Sequence, residues 1–228
     1  MSTFRTSLGY EALCRYLERQ LGAAFPDGAR LDVEPVVREA LDRCAHCFGR
    51  IRHPAFSDDE GRAYFDHLHG DQYATFVYFA SNSAYALGDL PLAKKLFLLN
   101  KAQSGFFCLY DTLLPAVVFL NHALGTIIGR GTYGNYLVVT QNVTFGKDRD
   151  AAPTVGEGVV VYGGAVIAGA TTVGDRVIVT AGTTIRNDRV PSDSIVSGSS
   201  PNLVINPRKR ELLERFFRVD GSPATADT

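Results

Sequence analysis

Pro153–Ile185 reads PTVGEGVVVYGGAVIAGATTVGDRVIVTAGTTI, and its spacing decides the fold. Val155, Val161, Ile167, Val173, Val179 and Ile185 follow one another at six-residue steps, all branched aliphatics. Four residues beyond each comes Val159, Ala165, Thr171, Val177, Thr183 or Arg189, mostly small or β-branched. Gly156, Gly158, Gly163, Gly164, Gly169, Gly174 and Gly182 punctuate the intervals. An amphipathic helix repeats at about 3.6 residues and a half-buried strand at two, so neither produces this period. A parallel β-helix does: each hexad is one short strand and a turn, three hexads close a triangular coil, and the aliphatics stack inward.

Upstream the repeat loosens. Ile128-Gly129 and Val138 to Val143 keep to it, from a start near Leu114, with a register slip around Tyr133 to Asn135. Lys147–Pro153, KDRDAAP, interrupts it as a polar projecting loop. Arg186 to Pro191 and Ser197 to Pro201 end the regular part; a short helix, Pro207 to Phe217, is expected to pack back as a cap. Asp220 to Thr228 reads as a disordered tail.

Before about residue 108 the apolar positions recur at steps of three and four. Val33, Val36, Val37, Ala40, Leu41, Cys44 and Phe48 mark one helix. Ser57-Asp-Asp-Glu60 is a capping-box pattern that predicts the start of the next. Gly88-Asp89 is a stop followed by an N-cap for LPLAKKLFLLNKA.

Composition narrows the classes. With 228 residues, 46% hydrophobic, 21% charged and net charge -1, the chain offers no electrostatic argument for nucleic acid or an anionic membrane. No apolar run approaches membrane-spanning length and the first twenty residues lack an apolar signal core, so a cytoplasmic protein is expected. Four cysteines suit a reducing compartment. Cys44-Ala-His-Cys47 looks like half a zinc site, but no second pair follows at ligand spacing, and two apolar thiols on one helical turn is the favoured reading.

Leu120–Gly129, LNHALGTIIG, holds the only histidine after His69. Together with QNVTFG, the hexad run and VPSDSIVSGSSPNLVI, it resembles the serine acetyltransferases, within the hexapeptide-repeat acyltransferases, over roughly Asp111 to Ile205. The expected architecture is α+β: a helical domain over 1–110, a left-handed parallel β-helix over 111–206, and a C-terminal helix and tail over 207–228. The resemblance implies acetyl-CoA as co-substrate, no metal, and a homotrimer or dimer of trimers with its site where subunits meet. By the same resemblance His122 is the general base and Asp111 its orienting partner, at a shorter spacing than the family's. Asp71, in DQYAT, corresponds to a substrate-binding aspartate; Asn121 and Arg149 also fall at substrate-binding positions. Two departures matter. Asn121 stands where the family has aspartate, and Arg149 lacks the histidine that follows it in the family's loop.

The chemistry is simple to state. A hydroxyl attacks a thioester only when a base takes its proton, and neutral imidazole has an unperturbed pKa near working pH. A carboxylate on the far ring nitrogen sets the tautomer. The oxyanion needs donors, for which the glycine backbone at Gly146, Gly163 and Gly164 is suited, and pantetheine can lie along the coil near Ala181, Gly182 and Thr183. Each residue also has a structural reading: His122 as a satisfied ring, Asp111 as a coil cap, Asp71 as the N-cap of DQYATFVYFA, Asn121 as a ladder residue, the glycines as turns.

The leading function is acetyl transfer from acetyl-CoA to a small hydroxylated acceptor, serine or serine-like. A sugar or sugar-derivative O- or N-acetyltransferase and a non-catalytic β-helix scaffold are the alternatives. A γ-type carbonic anhydrase would need three histidines around zinc, and the coil carries only His122. A nucleotidyltransferase would need a glycine-rich phosphate loop, absent from the helical half. A catalytic site predicts a carboxylate beside the His122 ring and open space around it; a scaffold predicts a buried ring bonded to backbone.

Overall fold

The computed structural model describes residues 4–29, 31–209 and 213–218. Its first half holds four helices, α1 (Tyr10–Ala24), α2 (Glu34–Phe48), α3 (Gly70–Ala86) and α4 (Leu90–Ser104). In α2 the apolar stripe of the sequence faces inward, burying Val36, Val37, Ala40, Cys44, Cys47 and Phe48. Cys44 and Cys47 are therefore core side chains; the Cys47 thiol donates to the Val118 carbonyl, and burial pushes its pKa up to about 12. Helix α3 is buried from Gln72 to Ala84, packed between α2 and α4. Asp89 caps α4 by accepting from the Leu92 amide at 3.0 Å, and Gly105 at φ 65° ends it.

Ser57–Glu60 does not open a helix. Asp58 accepts from the Glu60 and Arg62 amides and pairs with the Arg62 guanidinium, closing a turn in which Ser57 bridges Ala63. An aspartate that satisfies nearby amides this way competes with helix, and here the turn wins. The strand that follows, Tyr64–Phe65, pairs in parallel with Arg5–Thr6.

From Phe107 the chain winds into the parallel β-helix. Three columns of stacked side chains fill it. One runs Leu120, Val139, Val161, Val179, Val196; a second Cys108, Ile128, Phe145, Ile167, Ile185; a third Tyr133, Val155, Val173, Val190. All are buried. The six aliphatics of the hexad run thus face the interior, as their period requires.

Departures from the repeat sit at the corners. The register slip lies between Ile128 and Tyr133, and the first coil strand, Phe107–Cys108, precedes Leu114. Lys147–Pro153 projects, pinched where Asp148 bridges Ala151. Near the end the corner is a residue tighter, so Val190 rather than Pro191 enters the third column, and Arg189 pairs with Thr172 and stays exposed.

The expected helix from Pro207 is replaced in part by strand. Ser194–Ser199 turns back and pairs antiparallel with Asn202–Pro207, covering a sheet edge that would otherwise stand open. A short helical turn, α5 (Leu213–Phe216), follows, and Phe217 is buried against Ile51 and Tyr136, so this end packs back on both halves. The sequence from Asp220 to Thr228 lies outside the described residues. Among the described residues no helix is long and apolar enough to cross a membrane.

Candidate active site

His122 sits on a widened corner. The inward residues Leu120 and Ile128 that flank it are eight positions apart, against six for Val139 and Phe145 one coil on. The extra chain bulges outward, takes His122 to φ 56°, and leaves its side chain 81% exposed. Asp71 reaches this bulge from the helical half. Its Oδ2 accepts from the His122 amide at 2.9 Å and its Oδ1 from the Ala123 amide at 3.1 Å, while the His122 Nδ1 lies 3.8 Å from Oδ2.

Asp71 is free to do this because it is not the N-cap. That role belongs to His69, whose Nδ1 accepts from the Gln72 amide. Asp71 lies in the first turn of α3, where the amide ends of the helix favour a negative charge. The carboxylate beside His122 is therefore Asp71, whereas the sequence pointed to Asp111. Asp111 lies on a different edge of the coil, paired with Arg130; its Oδ1 is buried without a hydrogen-bond partner among the described residues.

The expected glycine positions share the edge of His122. Asn142 donates its amide to the Leu124 carbonyl, Gly164 to Gln141, and Gly182 to Gly163, a ladder climbing coil by coil from the bulge. Gly163, Gly164, Ala181, Gly182 and Thr183 are thus brought into line with the candidate base. The amides of Gly164 and Gly182 are committed to this ladder, and the Thr183 side chain is buried, its hydroxyl 3.0 Å from that of Thr180. Gly164 and Gly182 sit at φ 73° and 71°, where an L side chain is strained, while a Cβ at Gly163 would press only on the movable end of Gln141 at 2.9 Å. Asn121 donates its amide to Val139 and is half-buried beside His122.

Gly146 and Arg149 belong to the next edge. Arg149, at φ 54°, lines a cleft of about 520 Å³ with Asp148, Asp150, Ala151, Arg186 and Asn187. Asp148 anchors the loop by accepting from Arg186 and Asn187, contacts that hold its carboxyl below the usual range. Within one chain, Arg149 and His122 do not share a site.

Two residues near the bulge escaped the sequence reading. His53 packs at a tilt against Phe119, the residue three before His122, and together with His69 it flanks Phe56. Each sits in a short local motif with no period, and nothing in the sequence signals that the fold brings both to His122.

Solved structures share this architecture. The Neisseria gonorrhoeae serine acetyltransferase superposes with TM-score 0.64 at 20% identity, covering 91% of this chain and 82% of that one. The chain has the serine acetyltransferase fold. A serine acetyltransferase in complex with CoA gives TM-score 0.62 at 20% identity, over 84% of this chain and 75% of the other. The Neisseria gonorrhoeae enzyme in complex with serine gives 0.58 at 22%, over 86% and 75%. No protein-family model and no curated protein matches the sequence. The His122 ring is exposed, with the Asp71 carboxylate 3.8 Å from its Nδ1.

Proposed function

We propose that the protein is an acetyl-CoA-dependent acetyltransferase acting on the hydroxyl of a small acceptor, with His122 as general base. The observation that carries this reading is the His122 bulge: the ring is exposed and a carboxylate lies 3.8 Å from its Nδ1, the arrangement of a base and not of a stacked scaffold ring. Asp71 holds the backbone of the bulge and biases the proton to Nδ1, leaving Nε2 to accept from the hydroxyl. Acetyl-CoA as acyl donor is in keeping with the CoA complex of a chain with this fold, and the proposed path for it is the edge that climbs from His122 past Gly163 to Gly182.

Serine or a serine-like amino acid is the first acceptor, in keeping with the serine complex of a structural neighbour. A sugar acceptor is the second, because Asn121 offers no charge to an ammonium group. Arg149 can join the site only from a second copy, so the active species is a homotrimer or a pair of trimers, in the cytoplasm. The test is a thiol-release assay with acetyl-CoA against amino acids, amino sugars and sugar nucleotides. His122→Ala is expected to lower kcat by ~10²–10⁴-fold at unchanged folding; undiminished turnover removes His122 from the mechanism.

A further inference from the structure

Two further imidazoles stand near the bulge: His53 packs against Phe119 and Phe56, His69 packs against Phe56, and the charges of His69, His122 and Asp71 all act on His53. His53 precedes the short turn Pro54–Phe56, and its Nδ1 accepts from the Ala55 amide at 3.2 Å. His69 precedes α3, and its Nδ1 accepts from the Gln72 amide at 3.4 Å. A ring nitrogen that accepts from an amide carries no proton, so each neutral ring carries its proton on Nε2. Among the described residues neither Nε2 has a hydrogen-bond partner. Both rings are held in place by Phe56, with centroids at 5.9 and 5.7 Å, and His53 also by Phe119 at 5.8 Å. Phe119 leads directly into the bulge, and α3 delivers Asp71 to it. Two oriented, unpartnered N–H donors thus stand at the same corner as the candidate base.

We propose that His53 and His69 form a donor pair that binds the carboxylate of an α-amino acid acceptor, with Asp71 facing its ammonium group. Asp71 accepts one amide on each oxygen, and an ionised carboxylate has further lone pairs for an ammonium. A zwitterion therefore meets complementary groups at both ends, while a neutral sugar would leave the Asp71 charge unmatched. His69 is half-buried and His53 is exposed, so both N–H groups are open to an incoming anion. The choice of an amino acid over a sugar rests on the acetyl-transfer reading; the existence of the donor pair does not.

The variants His53→Asn and His69→Asn keep a side-chain oxygen for the capped amide and remove the distal N–H. In the thiol-release assay the expected result is an acceptor KM raised about tenfold by each, with the KM for acetyl-CoA, kcat and Tm retained. An unchanged acceptor KM, or a fall in Tm with no change in KM, overturns the proposal and leaves the two rings as caps. Independently of turnover, imidazole resonances of the wild-type protein are followed by NMR while L-serine, D-glycerate or glycerol is added. Perturbation of His53 and His69 by L-serine and less by D-glycerate supports the pair and the role of Asp71. Equal response to glycerol, or none to L-serine, overturns it. If the wild-type protein moves no acetyl group yet L-serine perturbs both rings, the acetyl-transfer reading fails and the subsite stands.

Discussion

Asp71 and its partners lie 51 and 52 positions apart in the chain, and no local pattern could have joined them. The residue itself was legible as an acid opening a helix; what it holds was not. Asp71→Asn replaces an oxygen that accepts an amide by a group that donates, leaving a bulge amide unsatisfied. It is expected to reduce unfolding free energy by ~1–3 kcal/mol, read by urea denaturation, and to lower kcat through a misplaced His122. His53 adds a pH term. Partial burial against Phe56 and Phe119, with positive charge from His69 and His122 when they are protonated, holds its pKa below the usual imidazole value, and Asp71 opposes this in part. The unfolded chain then binds the proton more readily than the folded one. This contribution to stability is complete above the unfolded value of about 6.5 and is lost as pH falls through that value toward the lowered one. The difference in urea midpoint between wild type and His53→Asn should therefore change between about pH 7.5 and pH 5.5; a constant difference would show that folding does not lower the His53 pKa.

At the scale of elements, the hexad run was legible because inward positions of a coil admit only aliphatics, whatever the turns do. Ile167 illustrates it: fully buried, stacked between Phe145 and Ile185. Ile167→Ala leaves a cavity and is expected to cost about 2–5 kcal/mol. Because each coil touches only its neighbours, amide exchange should quicken first in the strands at Phe145 and Ile185, and a uniform loss of protection would argue against that independence. The ends of elements were less legible. Asp58 had two local uses, helix cap or turn, and the choice fell to the parallel pairing of Tyr64–Phe65 with Arg5–Thr6, which demands a turn there. Pro207 likewise could open a helix or close an edge strand. It closes a strand because the last coil leaves an unpaired edge at Ser194–Ser199 that Asn202–Pro207 covers.

The whole molecule leaves its candidate site divided between edges. His122 and the glycine ladder run up one edge, while Arg149 and its cleft stand on the next. Motif order in the sequence placed both in one functional list, since sequence carries no record of which edge a turn occupies. The apolar side chains Leu113, Leu124 and Ile127 are 73%, 67% and 42% exposed, surface that a second copy would bury. If three chains close around an axis, the His122 edge of one faces the Arg149 edge of the next, and each site draws on two chains. Complementation follows from that arrangement. His122→Ala and Arg149→Ala, each inactive alone, are coexpressed with different tags and the mixed assembly is purified through both. Every trimer that carries both tags has one site in three that takes its intact histidine from one variant and its intact arginine from the other. Activity near a third of wild type is the expected outcome, and activity no higher than either parent would mean that His122 and Arg149 never act in one site.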